Sequence, residues 1–206
     1  MSKKAKKINI AVFASGNGSN FEAIAKAVKK GCLKANLKIL IVDKEKAYAR
    51  KRAKRLRVAH VFVNPKKYKS RALFDKAILK ILNKEKIDII ALAGYMRILS
   101  SFLVRKYKNR MINVHPAILP AFRGVDAIQR AFNYGCLITG VTVHFVDDKI
   151  DHGPVILQEA VKITPNMTAA NLEKKIHTIE HKLYPLALKL LTEKKIKITG
   201  RHVKIV

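Results

Sequence analysis

Apolar residues along this chain fall into two alternating rhythms. Short runs of Val, Ile and Leu are followed by stretches in which apolar positions recur every three or four residues. The first rhythm suits strands, the second helices packed by one face. Read this way, residues 8–14 (INIAVFA) form a strand. Residues 21–30 form a helix with Phe21, Ile24, Ala25 and Val28 on its inner side. A strand at 37–42, a basic helix near 47–57 and a strand at 58–63 come next. A helix over 70–83 then turns Leu73, Ala77, Ile78 and Ile81 inward. Residues 87–93 (IDIIALA) are the most apolar run and suit a central strand buried on both faces.

The second half continues the alternation. A short loop and helix follow Gly94, and a strand spans 111–114. His115-Pro116 ends that strand, because the residue before proline is pushed out of the helical region. A strand at 139–146, a polar turn at 147–153 and a return strand at 155–161 lead to a helix over 168–191. Thr168 is its expected cap, and Pro185 is expected to interrupt or kink it. The tail, 196–206, is expected as an edge hairpin. Strand–helix alternation without repeat, linker or composition break predicts a single α/β domain over 1–206, with a basic lead-in at 1–7 and a tail at 192–206. Its sheet is mostly parallel, with helices on both faces.

Composition narrows the setting. With 206 residues the chain is long enough for one well-buried core. No stretch approaches the ~20 apolar residues of a membrane span, and two cysteines make no disulfide framework. A reducing cytoplasmic setting and no membrane partner are the expectation. The net charge of +29 is unusual. Mostly lysine and spread as pairs, it reads as solvated helix faces that would steer anionic substrates. A nucleic-acid-binding module stays open on charge alone.

Three places carry candidate chemistry. The turn SGNGSN at 15–20 joins the first strand to the first helix. Small residues there let backbone N–H groups close on an anion at the helix N-terminus. It lacks the Gly-Lys-Ser/Thr of a Walker loop, so a phosphate monoester is the natural guest; a plain turn with Ser19 or Asn20 as helix cap is the competing reading. Asn113 and His115, two apart on a strand, point to the same side. The amide can donate to an oxygen gaining charge, and the imidazole can move a proton. Asp151, in the polar turn, is the candidate carboxylate partner. His177 and His181 stand four apart on a helix, but no clustered Cys/His set argues for metal.

In order along the chain, SGNGSN, AGYMRILS at 93–100, NVHP at 113–116, VHFV at 143–146 and DHGPVILQ at 151–158 resemble the phosphoribosylglycinamide formyltransferases, a folate-dependent formyltransferase family. The resemblance runs from about residue 8 to 191. It implies a Rossmann-like formyltransferase domain that moves a formyl group from 10-formyltetrahydrofolate to the amine of glycinamide ribonucleotide in purine synthesis. It implies small-molecule substrates, no metal, and Asn113, His115 and Asp151 as catalytic residues. It places Gly18, Ser19, Asn20 and Glu180 on the ribonucleotide. Arg71, Met96, Arg97, Ile98, Leu99, Asn113 and the turn Asp147, Asp148, Lys149, Ile150 and Asp151 would hold the folate. Around 122–131 the chain also resembles methionyl-tRNA formyltransferase, and formyltetrahydrofolate hydrolase is a third relative. Neither the C-terminal RNA-binding module of the one nor the N-terminal regulatory domain of the other is expected here.

Overall fold

The computed structural model describes residues 7–206; the rest of the basic lead-in, residues 1–6, lies outside the described residues. Five strands run parallel: β1 (Ile8–Ala14), β2 (Ala35–Val42), β3 (His60–Phe62), β4 (Ile89–Leu92) and β5 (Met111–His115). β6 (Ile138–Phe145) and β7 (Val155–Lys162) complete the sheet in antiparallel pairing. The order across it is β3-β2-β1-β4-β5-β6-β7.

Alternation of side chains builds a core on each face. Ile10, Val12 and Ala14 of β1 pack under α1 (Ser19–Lys29), α2 (Ala49–Leu56) and α6 (Ala169–Thr192). Ala11 and Phe13, pointing the other way, pack under α3 (Arg71–Lys84) and α4 (Ser101–Lys106). Deep in the first core the Tyr184 hydroxyl of α6 lies 2.8 Å from the Leu92 carbonyl of β4 and 3.0 Å from the Ile112 carbonyl of β5.

The second face changes character at β5. Met111 still joins the α3–α4 core, while Ile112 and Val114 face the other way. Asn113 and His115 therefore point to the α3–α4 side, beyond the reach of those helices. His144 and Thr142 of β6 stand opposite them in the register. A polar row on an otherwise apolar sheet face is where the candidate chemistry collects.

Several expectations need correction. In α3 the buried residues are Phe74, Asp75, Ile78 and Leu82, and Leu73 is 46% exposed; the inner stripe is set by Phe74 and Ile78, four apart. α6 runs through Pro185 without interruption, and Thr168 caps it by accepting from the Asn171 N–H. The tail forms its own two-stranded sheet, β8 (Ile196–Thr199) with β9 (His202–Ile205), rather than extending the main sheet edge. One helix was also missed: α5 (Ala127–Asn133), between β5 and β6, follows a left-handed Asp126 and buries only Ala127 and Ala131, too small a stripe to announce a helix.

Candidate active site

The glycine-rich turn lies at the C-terminal end of β1. Gly18 is the N-cap of α1 with φ +76, and no side chain caps the helix, so neither Ser19 nor Asn20 plays that part. A Cβ on Gly18 would lie 2.5 Å from the Ala49 Cβ, so both the backbone angle and the close approach of α2 require glycine. The first N–H groups of α1 have no acceptor within the helix and face outward with its positive dipole end. Arg52 fastens the turn through the Asn17 carbonyl (2.9 Å) and side-chain oxygen (2.6 Å). Met96 N–H donates to Ser15 Oγ at 2.8 Å, which ties the loop after β4 to the same turn.

Glu180 projects from α6 and is buried at 4% exposure. It accepts from the Asn20 amide at 2.9 Å and from the His177 ring at 2.8 Å. The Glu180 hydrogen bond is the main cause that raises the His177 pKa. His177 stacks on His181 at 6.3 Å. Glu180 thus adjoins Asn20, which follows Gly18 and Ser19 in the turn.

On the polar row, one carboxylate joins three strand residues. Asp151 Oδ1 lies 3.3 Å from Asn113 Nδ2 and 3.6 Å from His144 Nε2. Asp151 Oδ2 lies 3.3 Å from His115 Nδ1 and accepts from the Gly124 N–H at 2.8 Å. Asp151 belongs to the polar turn between β6 and β7, which folds over the sheet face. Its backbone is left-handed (φ +44), a conformation aspartate tolerates. His144 is the residue that sequence reasoning missed. Its Nδ1 donates to the Phe145 carbonyl at 2.8 Å, leaving Nε2 to face the Asn113 amide at 3.3 Å. The signal was its place opposite Asn113 once VHFV is paired with NVHP.

His115 is 4% exposed. Burial is the largest influence on it and lowers its pKa; the Asp151 charge and the Phe122 carbonyl, 2.9 Å from Nε2, push the other way. At neutral pH the ring is therefore mainly unprotonated, while both nitrogens face acceptors that welcome a proton when one arrives. Burial also works against the ionised Asp151, but the imidazole of His144, the Gly124 N–H and the His115 ring outweigh it and hold its pKa below the usual carboxylate value. The Glu180 charge also pushes the His115 pKa up, and the turn that Glu180 adjoins stands, like His115, at the C-terminal end of a parallel strand.

The remaining site residues lie on α3, the loop after β4 and the turn between β6 and β7. Asp75 of α3 accepts from the Ser100 N–H and feels the charges of Arg71 and Arg97, which brings α3 to the 96–99 segment. Arg97 lies 4.9 Å over the Phe74 ring with its Nε buried and unpartnered. Met96 (61%), Ile98 (58%) and Ile150 (53%) are large apolar side chains left in solvent, and Leu99 is buried. Exposed apolar residues beside an unpaired guanidinium nitrogen fit a flat, half-polar ligand. In the covering turn, Asp147 accepts from the Lys149 N–H and from His152, and Asp148 faces Arg105 at 3.6 Å. No group of three metal-ligating side chains occurs among the described residues.

Known proteins share this arrangement. Residues 8–188 match the formyl transferase family. The chain is 43% identical over 181 residues to the phosphoribosylglycinamide formyltransferase of Bacillus subtilis (strain 168), covering 88% of this chain and 93% of that protein. It is 39% identical to the trifunctional purine biosynthetic protein adenosine-3 of Homo sapiens, matching 97% of this chain to 20% of that much longer protein. The crystal structure of glycinamide ribonucleotide transformylase 1 from Symbiobacterium toebii superposes with a TM-score of 0.96 at 36% identity, covering 100% of this chain and 97% of that one. Sequence and topology agree, and the chain belongs to the formyl transferase family.

Proposed function

We propose that the chain transfers the formyl group of 10-formyltetrahydrofolate to the amine of glycinamide ribonucleotide, a step of de novo purine synthesis, in the cytoplasm. The observation that carries this reading is the Asp151 carboxylate held between the Asn113 amide and the His115 ring. The similarity to the Bacillus subtilis formyltransferase supports the choice of acceptor. Two cysteines without a disulfide and the absence of any helix long and apolar enough to cross a membrane, among the described residues, accord with the setting.

The folate supplies the formyl carbon. Gly18, Ser19 and Asn20 seat the substrate phosphate, and Glu180 orients the ribonucleotide from the opposite wall. Met96, Ile98 and Leu99 cover the folate ring, Arg71 and Arg97 meet its anionic end, and the turn from Asp147 to Asp151 closes over it.

As the amine adds to the formyl carbon, negative charge builds on the formyl oxygen, and the Asn113 amide donates to it. The sequence alone pictures His115 as already protonated; burial argues that it begins neutral. His115 takes the proton that the amine sheds, and Asp151 stabilises the resulting imidazolium. As the carbonyl re-forms and the bond from the formyl carbon to the folate nitrogen breaks, the imidazolium returns the proton to that nitrogen. Protons balance, and no metal step is needed.

Purified protein incubated with glycinamide ribonucleotide and 10-formyltetrahydrofolate is expected to deformylate the folate only when the acceptor is present. Release without acceptor would indicate a hydrolase, and no turnover at all would sink the reading.

A further inference from the structure

The match to the formyl transferase family ends at residue 188, yet a contact from beyond it reaches the catalytic turn. β8 and β9 turn at Gly200 and Arg201, anchored by Ile196, Ile198 and Val203 against the first core. From that tip Arg201 Nη2 donates to the His152 backbone carbonyl at 2.7 Å. Its Nη1 lies 3.3 Å from His152 Nε2. The other ring nitrogen, Nδ1, meets Asp147 Oδ2 at 2.7 Å. The guanidinium lies almost equally close to both ring nitrogens (3.4 Å from Nδ1), so the ring is held between it and the Asp147 carboxylate.

We propose that Arg201 is a positioning residue for Asp151. His152 is the next residue along the chain, so the guanidinium holds one end of the segment that carries the carboxylate directly, and the other end, Asp147, through the His152 ring. The Asp151 side chain is held from outside the turn by Gly124, Asn113, His115 and His144, but the turn's backbone has few outside ties. Gly153 lies against the Phe145 carbonyl, where a Cβ would come within 1.9 Å, and the Arg105–Asp148 pair is solvent-exposed and weak. Asp151 itself has a left-handed backbone, which the surroundings must maintain. A planar fork with two donors in one plane suits this joint in a way that a lysine ammonium does not.

The kinetic arm of the test rests on the formyl-transfer reading; the exchange arm does not. In Arg201→Met, kcat falls about 5–10-fold with KM for glycinamide ribonucleotide within about twofold, below the roughly 10²-fold cost of displacing a reacting group by an ångström. Arg201→Lys recovers part of the loss, because it keeps the bond to the carbonyl but not the fork. Lys204→Ala, on the same hairpin but away from the turn, behaves as wild type. Backbone amides of residues 147–153 exchange faster with deuterium in Arg201→Met, while those of β1 and β4 are unchanged. Faster exchange there in a protein that transfers no formyl group would keep the joint and discard only the reaction. Unchanged exchange at 147–153, or wild-type kcat in Arg201→Met, would overturn the proposal.

Discussion

The glycine-rich turn follows the C-terminal end of β1, the polar row lies on β5 and β6, and the two are built on opposite plans. The turn is local: six consecutive residues, a helix N-terminus and one close approach by Ala49 produce a seat made mainly of backbone. The row is assembled from far apart. Asn113, His115, His144 and Asp151 span 38 residues and meet only because β6 runs antiparallel to β5 and the following turn folds back over the sheet. A seat made of backbone holds a charge whose shape is constant. A site where charge appears and moves needs side chains whose protonation can change, and those are placed by topology.

The contrast is tested most severely by removing the chemistry and leaving the seat. His115→Ala or Asp151→Ala is expected to lower kcat by roughly 10²–10³, in line with loss of one stabilising group, with little change in KM for the ribonucleotide. Steady-state kinetics with both substrates varied reads this; a matching rise in KM would dissolve the distinction between the two regions. The reverse experiment is Gly18→Ala, which forces a Cβ against Ala49 in a left-handed turn. It should raise KM for the phosphorylated substrate by roughly tenfold, or 1.4 kcal/mol, with a smaller effect on kcat.

A third measurement sharpens the electrostatic half. Burial lowers the His115 pKa, so in the free enzyme its neutral form persists below pH 6.5, the ordinary value. The acid limb of kcat/KM is therefore expected below that pH. Asp151→Asn removes a charge that raises the His115 pKa, so the limb of its residual activity should move lower still. A limb moving upward would reverse the assigned roles.

The smallest effect is one of stability beside the seat. Glu22 of α1 is bound by Lys26, Arg52 and Arg55, and the Lys26 hydrogen bond is the chief cause that holds its pKa at about 2. A depressed carboxylate stabilises the fold above its unfolded pKa, near 4.5, and loses that contribution as pH falls toward 2. Glu22→Gln should cost about 1 kcal/mol at pH 7. Urea midpoints of the two proteins should converge between pH 5 and 2; a gap that stays constant would rule out the charge as its source.

The two plans also explain what the sequence disclosed. Strand–helix alternation reveals the α/β class, because burial imposes its period on every element, and Ile8–Ala14 is found at the bounds read from the chain. The turn SGNGSN is legible because it is contiguous. Asn113 and His115 are legible as a pair two apart on a strand. The position of Asp151 over the sheet face, and the presence of His144 in the row, depend on the register of β5 with β6, which local pattern does not encode. Arg201 is less legible still: an exposed arginine on a tail hairpin carries no periodicity that marks it.

Tyr184 stands one helical turn after Glu180, on the same side of α6, and its hydroxyl reaches carbonyls on two adjacent strands. One of those strands carries Asn113; the other opens into the segment beginning at Ala93. A single phenol thereby gives the helix that carries Glu180 and the strand that carries Asn113 a common point of measurement. Any drift of the helix must first break that joint, so the span between helix and strand is fixed before either substrate arrives.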